Sequence, residues 1–219
     1  MFSAMLTPMA VLFVFSIISN GALLKYAVLG GFITILASNS LSTMFDAAQM
    51  RLDTKFQDLF VASRMDVVDF VSGLGISNLV YSLPEIAVYI VIAVVFGVFT
   101  PASFLLMAVI LLPLSVAMTS IGVLFSYIPS HFRNIWGMFS IISLLFTFVP
   151  PIYYPYSLLP KPLLYIFALS PATPAAVLIQ NVTGLQPFGA VSYIMVGVLL
   201  AETLAFLLML MKFAKWRED

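Results

Sequence analysis

Between Asp69 and Arg133 the chain carries a single charged residue, Glu85. So long an uncharged run has nothing with which to solvate a surface in water. Composition carries the point to the whole chain, which is 63% hydrophobic and 8% charged, where a soluble domain carries roughly 25% charged residues. Lipid therefore has to cover most of it. A bilayer helix takes roughly 20 apolar residues, so the length suits about six crossings. The absence of cysteine excludes a disulfide framework and thiolate metal sites.

The apolar runs divide at polar breaks. The expected fold is an all-α membrane protein forming one permease-sized domain over 1–219, with spans at about 2–19, 26–45, 71–99, 103–127, 135–149 and 190–211. The first run has no Lys or Arg ahead of it and no convincing cleavage site after it, so it is expected to be a retained span and not a leader. Span two ends in the hydroxyl-rich run Ala37 to Thr43, a face that packs on another helix in lipid. The third span is too long to stand upright, and Pro84 is its expected break point.

Two segments interrupt the spans. The charged stretch Asp46 to Asp69 holds Phe45, Ala48, Leu52, Phe56 and Leu59 at spacings of three and four. That period predicts one amphipathic helix, at about 46–62, on the membrane surface. Its charges alternate in sign, which favours a protein partner over anionic lipid. The second segment, about 150–187, is apolar but dense in proline, with Tyr153, Tyr154, Tyr156 and Tyr165 clustered in it. No straight membrane helix tolerates that proline density. Two short helices that dip into the membrane edge and return are expected, with their irregular backbone buried in protein or lining a cavity.

Basic residues set the orientation. With the charged stretch, the loop His131-Phe132-Arg133 and the C-terminus in the cytoplasm, that side holds Arg51, Lys55, Arg64, Arg133, Lys212, Lys215 and Arg217. Only Lys25 and Lys161 are left outside. The basic excess belongs in the cytoplasm, so both termini are expected there and the proline-rich hairpin outside.

The sequence has no G-x-x-x-x-G-K-[ST] phosphate loop, no H-E-x-x-H and no G-x-S-x-G elbow. No catalytic role and no metal site is expected, and His131 reads as a surface loop residue. Asn181-Val182-Thr183 fits a glycosylation sequon, a pattern that often arises by chance. Glu85 and Glu202 fall inside spans. A charge at mid-membrane costs roughly 2.5–3.5 kcal/mol, so such residues face the protein interior, as substrate or proton groups or as hydrogen-bonded packing groups.

Three stretches resemble the permeases of type-2 ATP-binding-cassette exporters. Pro8 lies where that family commonly has a proline in span one. Arg51-Leu52-Asp53-Thr54-Lys55-Phe56-Gln57-Asp58-Leu59-Phe60-Val61-Ala62-Ser63 is similar to its cytoplasmic loop after span two, although Ala62-Ser63 stands where a Thr-Pro pair is usual. Most specific, Pro151-Ile152-Tyr153-Tyr154-Pro155, Leu158-Leu159-Pro160 and Leu169-Ser170-Pro171-Ala172-Thr173-Pro174 resemble its external re-entrant hairpin before span six.

The resemblance implies a plasma-membrane exporter subunit without ATPase chemistry of its own. Arg51, Asp53, Thr54, Lys55, Phe56, Asp58, Leu59 and Phe60 would couple it to an ATP-binding partner subunit that holds ATP and Mg. Pro151, Tyr154, Pro155, Leu159, Pro160 and Pro171 would shape the external hairpin. A second permease copy, most simply as a homodimer in the lipid bilayer, would complete the path, and nucleic acid has no part. The cargo would be amphiphilic, drug-like, lipid or ionic. The alternative is a proton- or sodium-coupled secondary carrier using Glu85 or Glu202. A membrane-embedded enzyme is disfavoured by the missing catalytic motifs.

Overall fold

The computed structural model describes residues 2–63 and 65–214, and among them the chain is helical without a strand. Arg64, Lys215, Trp216 and Arg217, which enter the orientation argument, lie outside the described residues. The α-helices follow in order as α1 (Phe2–Ile18), α2 (Leu24–Leu41), α3 (Thr43–Leu52), α4 (Phe56–Ala62), α5 (Val67–Val95), α6 (Pro101–Ser126), α7 (Ile135–Ser143), α8 (Lys161–Phe167), α9 (Ala172–Val182) and α10 (Ala190–Phe213). A π-helical turn, Leu144–Phe148, extends α7.

Four helices are long and apolar enough to cross a membrane: Leu24–Leu52, in which α2 runs on into α3, and α5, α6 and α10. They cover four of the expected spans. The other two expected spans, at about 2–19 and 135–149, are apolar helices too short to qualify on length. Local chemistry shortens both. Asn20 and Gly21 turn left-handed (φ 49° and 84°) and stop α1. The π-helical turn and Pro150-Pro151 stop the other.

Two further expectations change. Pro84 does not break α5, which runs from Val67 to Val95 as one helix, about 44 Å long at 1.5 Å per residue. Nor is there one surface helix at about 46–62. The chain breaks at Asp53–Lys55, where Lys55 adopts φ 54°, a left-handed conformation that costs a non-glycine residue roughly 1–2 kcal/mol. The amides of Asp53 and Thr54 both close back onto the Gln49 carbonyl, ending α3. The apolar stripe is split in consequence. Phe45, Ala48 and Leu52 join the core, while Phe56 and Leu59 stand in the open on α4.

The bundle is built around α2, whose residues from Ala27 to Ala37 are all buried. A helix apolar on every side belongs inside a bundle, and α1, α5, α6 and α9 surround it. Two glycines set how closely its neighbours approach. A Cβ on Gly31 would overlap the Tyr89 ring from α5, and one on Gly30 would overlap Tyr153 from the proline-rich segment. On α6, Gly122 lets the backbone meet Leu41 and Thr43 at the α2–α3 joint.

Cross-contacts fix the helix directions. Gly31 faces Tyr89 and Asp46 faces Asn78, so α2 and α5 run antiparallel. The pairs Gly122–Leu41 and Arg51–Ser126 set α6 alongside α2–α3 near their C-terminal ends. The Thr203 hydroxyl bonds the Pro113 carbonyl and Leu210 packs near Val123, so α10 runs with α6. One end of the bundle therefore carries α4 and the other the proline-rich segment. The faces of α5 and α10 turned outward are aliphatic, with Ile76, Val80, Leu83, Val91 and Val94 on one and Leu200, Leu204 and Leu208 on the other. A contiguous apolar surface of this kind is rare on a water-soluble monomer and fits contact with lipid.

Candidate functional site

Three places gather the polar and exposed chemistry that an otherwise aliphatic bundle lacks. The first is the α4 end. Asp53, Thr54, Lys55, Phe56, Asp58 and Leu59 are all exposed there. Phe56 is 50% and Leu59 63% exposed, an apolar pair ringed by charges of both signs. Phe60 turns the other way, its ring 5.9 Å from that of Phe70 on α5. Arg51 stands apart from this group. Its Nη2 donates to the carbonyls of Ser126 (2.7 Å) and Pro129 (3.1 Å), and its guanidinium lies 5.3 Å from the centre of the Tyr127 ring. The Ser126 carbonyl is the last of α6, where helix geometry leaves acceptors unpaired and a cation is favoured, and the Pro129 carbonyl lies three residues beyond it.

The second place is a polar ladder between α2–α3 and α5. Asn39 Nδ2 donates to Ser82 Oγ and to Glu85 Oε2, both at 2.9 Å. One turn on, Ser42 Oγ approaches Asn78 Oδ1 and Asn78 Nδ2 approaches Asp46 Oδ2, both at 3.4 Å. The Ser82 hydroxyl also bonds the Asn78 carbonyl. Glu85 is 4% exposed and Ser82 fully enclosed. The ladder is tight at Asn39 and looser toward α3, since 3.4 Å is a long hydrogen bond. Glu202 is not part of it. It sits on α10, which packs against α6 and α9, and its Oε2 is buried without a hydrogen-bond partner.

The third place is the proline-rich segment. α8 and α9 meet at 119°, and Ala172 through Asn181 are buried on every side between α2, α6 and α10. Before them Pro151, Ile152 and Tyr153 are buried, as is Pro171, whereas Tyr154, Pro155 and Leu159 are half-buried and Pro160 is exposed. Irregular backbone at this depth needs partners, and Gln180 on α9 supplies them. Its Nε2 donates to the carbonyls of Pro151 and Tyr154, both at 3.1 Å, and its Oε1 accepts from the Tyr156 amide at 3.2 Å. Tyr153 shares a 2.5 Å hydrogen bond with Thr34 and stacks on Phe15 of α1. The sequon asparagine Asn181 is 3% exposed, and its Nδ2, the atom a glycan would need, is held by Tyr156 Oη and the Pro187 carbonyl.

Thus the structure gathers Asp53 through Leu59 on one surface, ties Arg51 inward, and keeps Glu85 and Glu202 on different helix interfaces. Asn39 and Ser42 lie in the hydroxyl-rich run expected to pack on another helix, whereas Asp46, Asn78 and Ser82 were given no packing role from sequence, although positions 39, 42 and 46 and positions 78, 82 and 85 each fall on one helix face. Gln180 left no local signal, because its partners lie far upstream.

The class these features define is a helical bundle with four helices able to cross a membrane. No protein-family model matches the chain, and no curated protein matches it.

Proposed function

We propose that the chain is the membrane-spanning permease subunit of an ATP-driven exporter, powered by a separate ATP-binding subunit. The observation that carries this is α4. A short helix presents Phe56 and Leu59 outward among Asp53, Lys55 and Asp58, at the bundle end opposite the proline-rich segment. An exposed apolar-aromatic pair with mixed charge around it suits docking to a protein. The resemblance of residues 51–63 and 151–174 to type-2 exporter permeases adds to it. In this reading α1 and the helix at 132–148 also cross the membrane, giving about six crossings, with slight local thinning around the two shorter ones. The excess of Lys and Arg at the α4 end sets that end and both termini in the cytoplasm of a plasma membrane.

α8 and α9 form the external re-entrant hairpin, with Tyr153 bonded to Thr34 of α2 and Gln180 tying α9 to the chain at 151–156. A second copy of the chain completes the path, and ATP and Mg sit on the partner subunit. The cargo is amphiphilic, drug-like, lipid or ionic. Purification in detergent tests this: an ATPase with a phosphate loop should be retained by the chain, and its hydrolysis should rise in the complex. A chain that retains no ATPase contradicts the proposal.

The buried position of Glu85 motivates the alternative of a proton- or sodium-coupled carrier. Such a carrier would keep transporting after ATP depletion and would fail as Glu85→Gln.

A further inference from the structure

We propose that Arg51 is a positioning residue that fuses α3 to the end of α6, so that displacement of α4 is delivered across the Asp53–Lys55 break into α5 instead of bending α3. The inference rests on the exporter reading for the source of that displacement, but the fused block itself stands on geometry alone. Arg51 is the last charged residue of α3 and lies one turn before the break. Nη2 donates to the Ser126 carbonyl at the end of α6 and to the Pro129 carbonyl just beyond it, and the guanidinium lies against the Tyr127 ring. Both bonds leave that one nitrogen and Nε is buried without a partner, so the two acceptors and the ring together fix where the planar group sits. Behind it, Thr43 Oγ1 bonds the Ser40 carbonyl and approaches the Thr119 carbonyl, and Gly122 lets the two backbones touch. α3 and the last turns of α6 are thereby locked at both ends of their shared length.

α4 is held differently. It joins α3 through exposed residues and the left-handed Lys55. Beneath it lies an apolar cleft of about 180 Å³, lined by Met50, Phe60, Met65, Phe70 and Leu74. Phe60 rests on Phe70, at the start of α5. A push on α4 thus meets open space and the first turns of α5 on one side, and an immobile block on the other. A few residues at the ends of elements absorb large dihedral changes, and packed blocks move as units.

The chain has no cysteine, so introduced pairs report without background. Spin labels at Gln49→Cys on α3 and Ile128→Cys after α6, both exposed positions, would be read in the full-length chain in lipid nanodiscs. A single narrow distance distribution is expected, broadened clearly by Arg51→Ala and only partly by Arg51→Lys, which keeps a charged donor nitrogen but not the planar group against Tyr127. An Arg51→Ala distribution as narrow as wild type overturns the proposal. Tyr127→Ala, which removes only the ring, serves if Arg51→Ala does not fold; it should broaden the distribution less, and no broadening likewise overturns the proposal. In the complex with the co-purified ATP-binding subunit, Arg51→Ala should retain the subunit while its hydrolysis falls to the rate of the subunit alone. Full stimulation in Arg51→Ala overturns the delivery role. If the wild-type chain retains no ATPase, the exporter reading fails while the spin-label distances still decide whether the block exists.

Discussion

Single atoms decide how closely this bundle closes. Gly31 faces the Tyr89 ring so tightly that even a methyl group cannot be added without displacing it. Gly31→Ala should therefore destabilise the fold by about 1–3 kcal/mol, the usual cost of overpacking, whereas Gly197→Ala, with open space around it, should leave thermal stability unchanged. The two buried tyrosines against α2 make an opposite pair. Tyr153 has Thr34 as partner, but the Tyr89 hydroxyl has none. Tyr153→Phe should cost about 0.6 kcal/mol, the average for such bonds inside membrane bundles, and Tyr89→Phe should cost nothing or stabilise slightly; denaturation in detergent separates the two. None of this was legible in the sequence. A glycine pair inside an apolar run carries no sign of which ring will press on it. The sequence did place Glu85 inside a span, where an interior-facing acid is the expected outcome, and the structure supplied its partner, Asn39.

Among elements, the break between α3 and α4 teaches most. The apolar spacing continues unbroken through Asp53, Thr54 and Lys55, and periodicity alone cannot register one left-handed residue, least of all a lysine where glycine or asparagine is usual. Pro84 erred in the other direction. It reads as a break, yet α5 runs through it as one helix, with Pro84 on its exposed face. The polar ladder joins α5 to α2 beside the Tyr89 ring, and in it Asn39 gives the buried Glu85 a hydrogen-bond partner. Glu85→Gln retains an acceptor for Asn39 and should melt like the parent, whereas Glu85→Leu should lose about 1 kcal/mol. If Glu85→Gln instead abolishes transport that persists without ATP, the carrier alternative gains and the exporter reading loses.

At the scale of the molecule, two dissimilar ends are separated by an aliphatic belt. Helical class and the four helices long and apolar enough to cross a membrane were legible, since unbroken apolar runs are the strongest signal a membrane sequence carries. The packing of the proline-rich segment was legible only as a requirement, that irregular backbone be buried in protein or line a cavity; the means, Gln180 to the chain at 151–156 and Tyr153 to Thr34 of α2, lie in contacts between residues far apart in sequence. Because the chain lacks cysteine, accessibility to a membrane-impermeant thiol reagent can map the two ends. Asp58→Cys and His131→Cys should react only from the cytoplasmic side and Ser157→Cys only from outside; reaction of all three from one side would contradict the proposed topology.

The most direct test of the exporter proposal is ATP hydrolysis by the purified complex of this chain with its ATP-binding subunit, before and after Phe56→Asp or Leu59→Asp. Both side chains are exposed and leave the core untouched, so the bundle should fold normally in either variant. Stimulated hydrolysis should disappear in both. Stimulation at the wild-type level in both would contradict α4 as the surface through which ATP drives this protein.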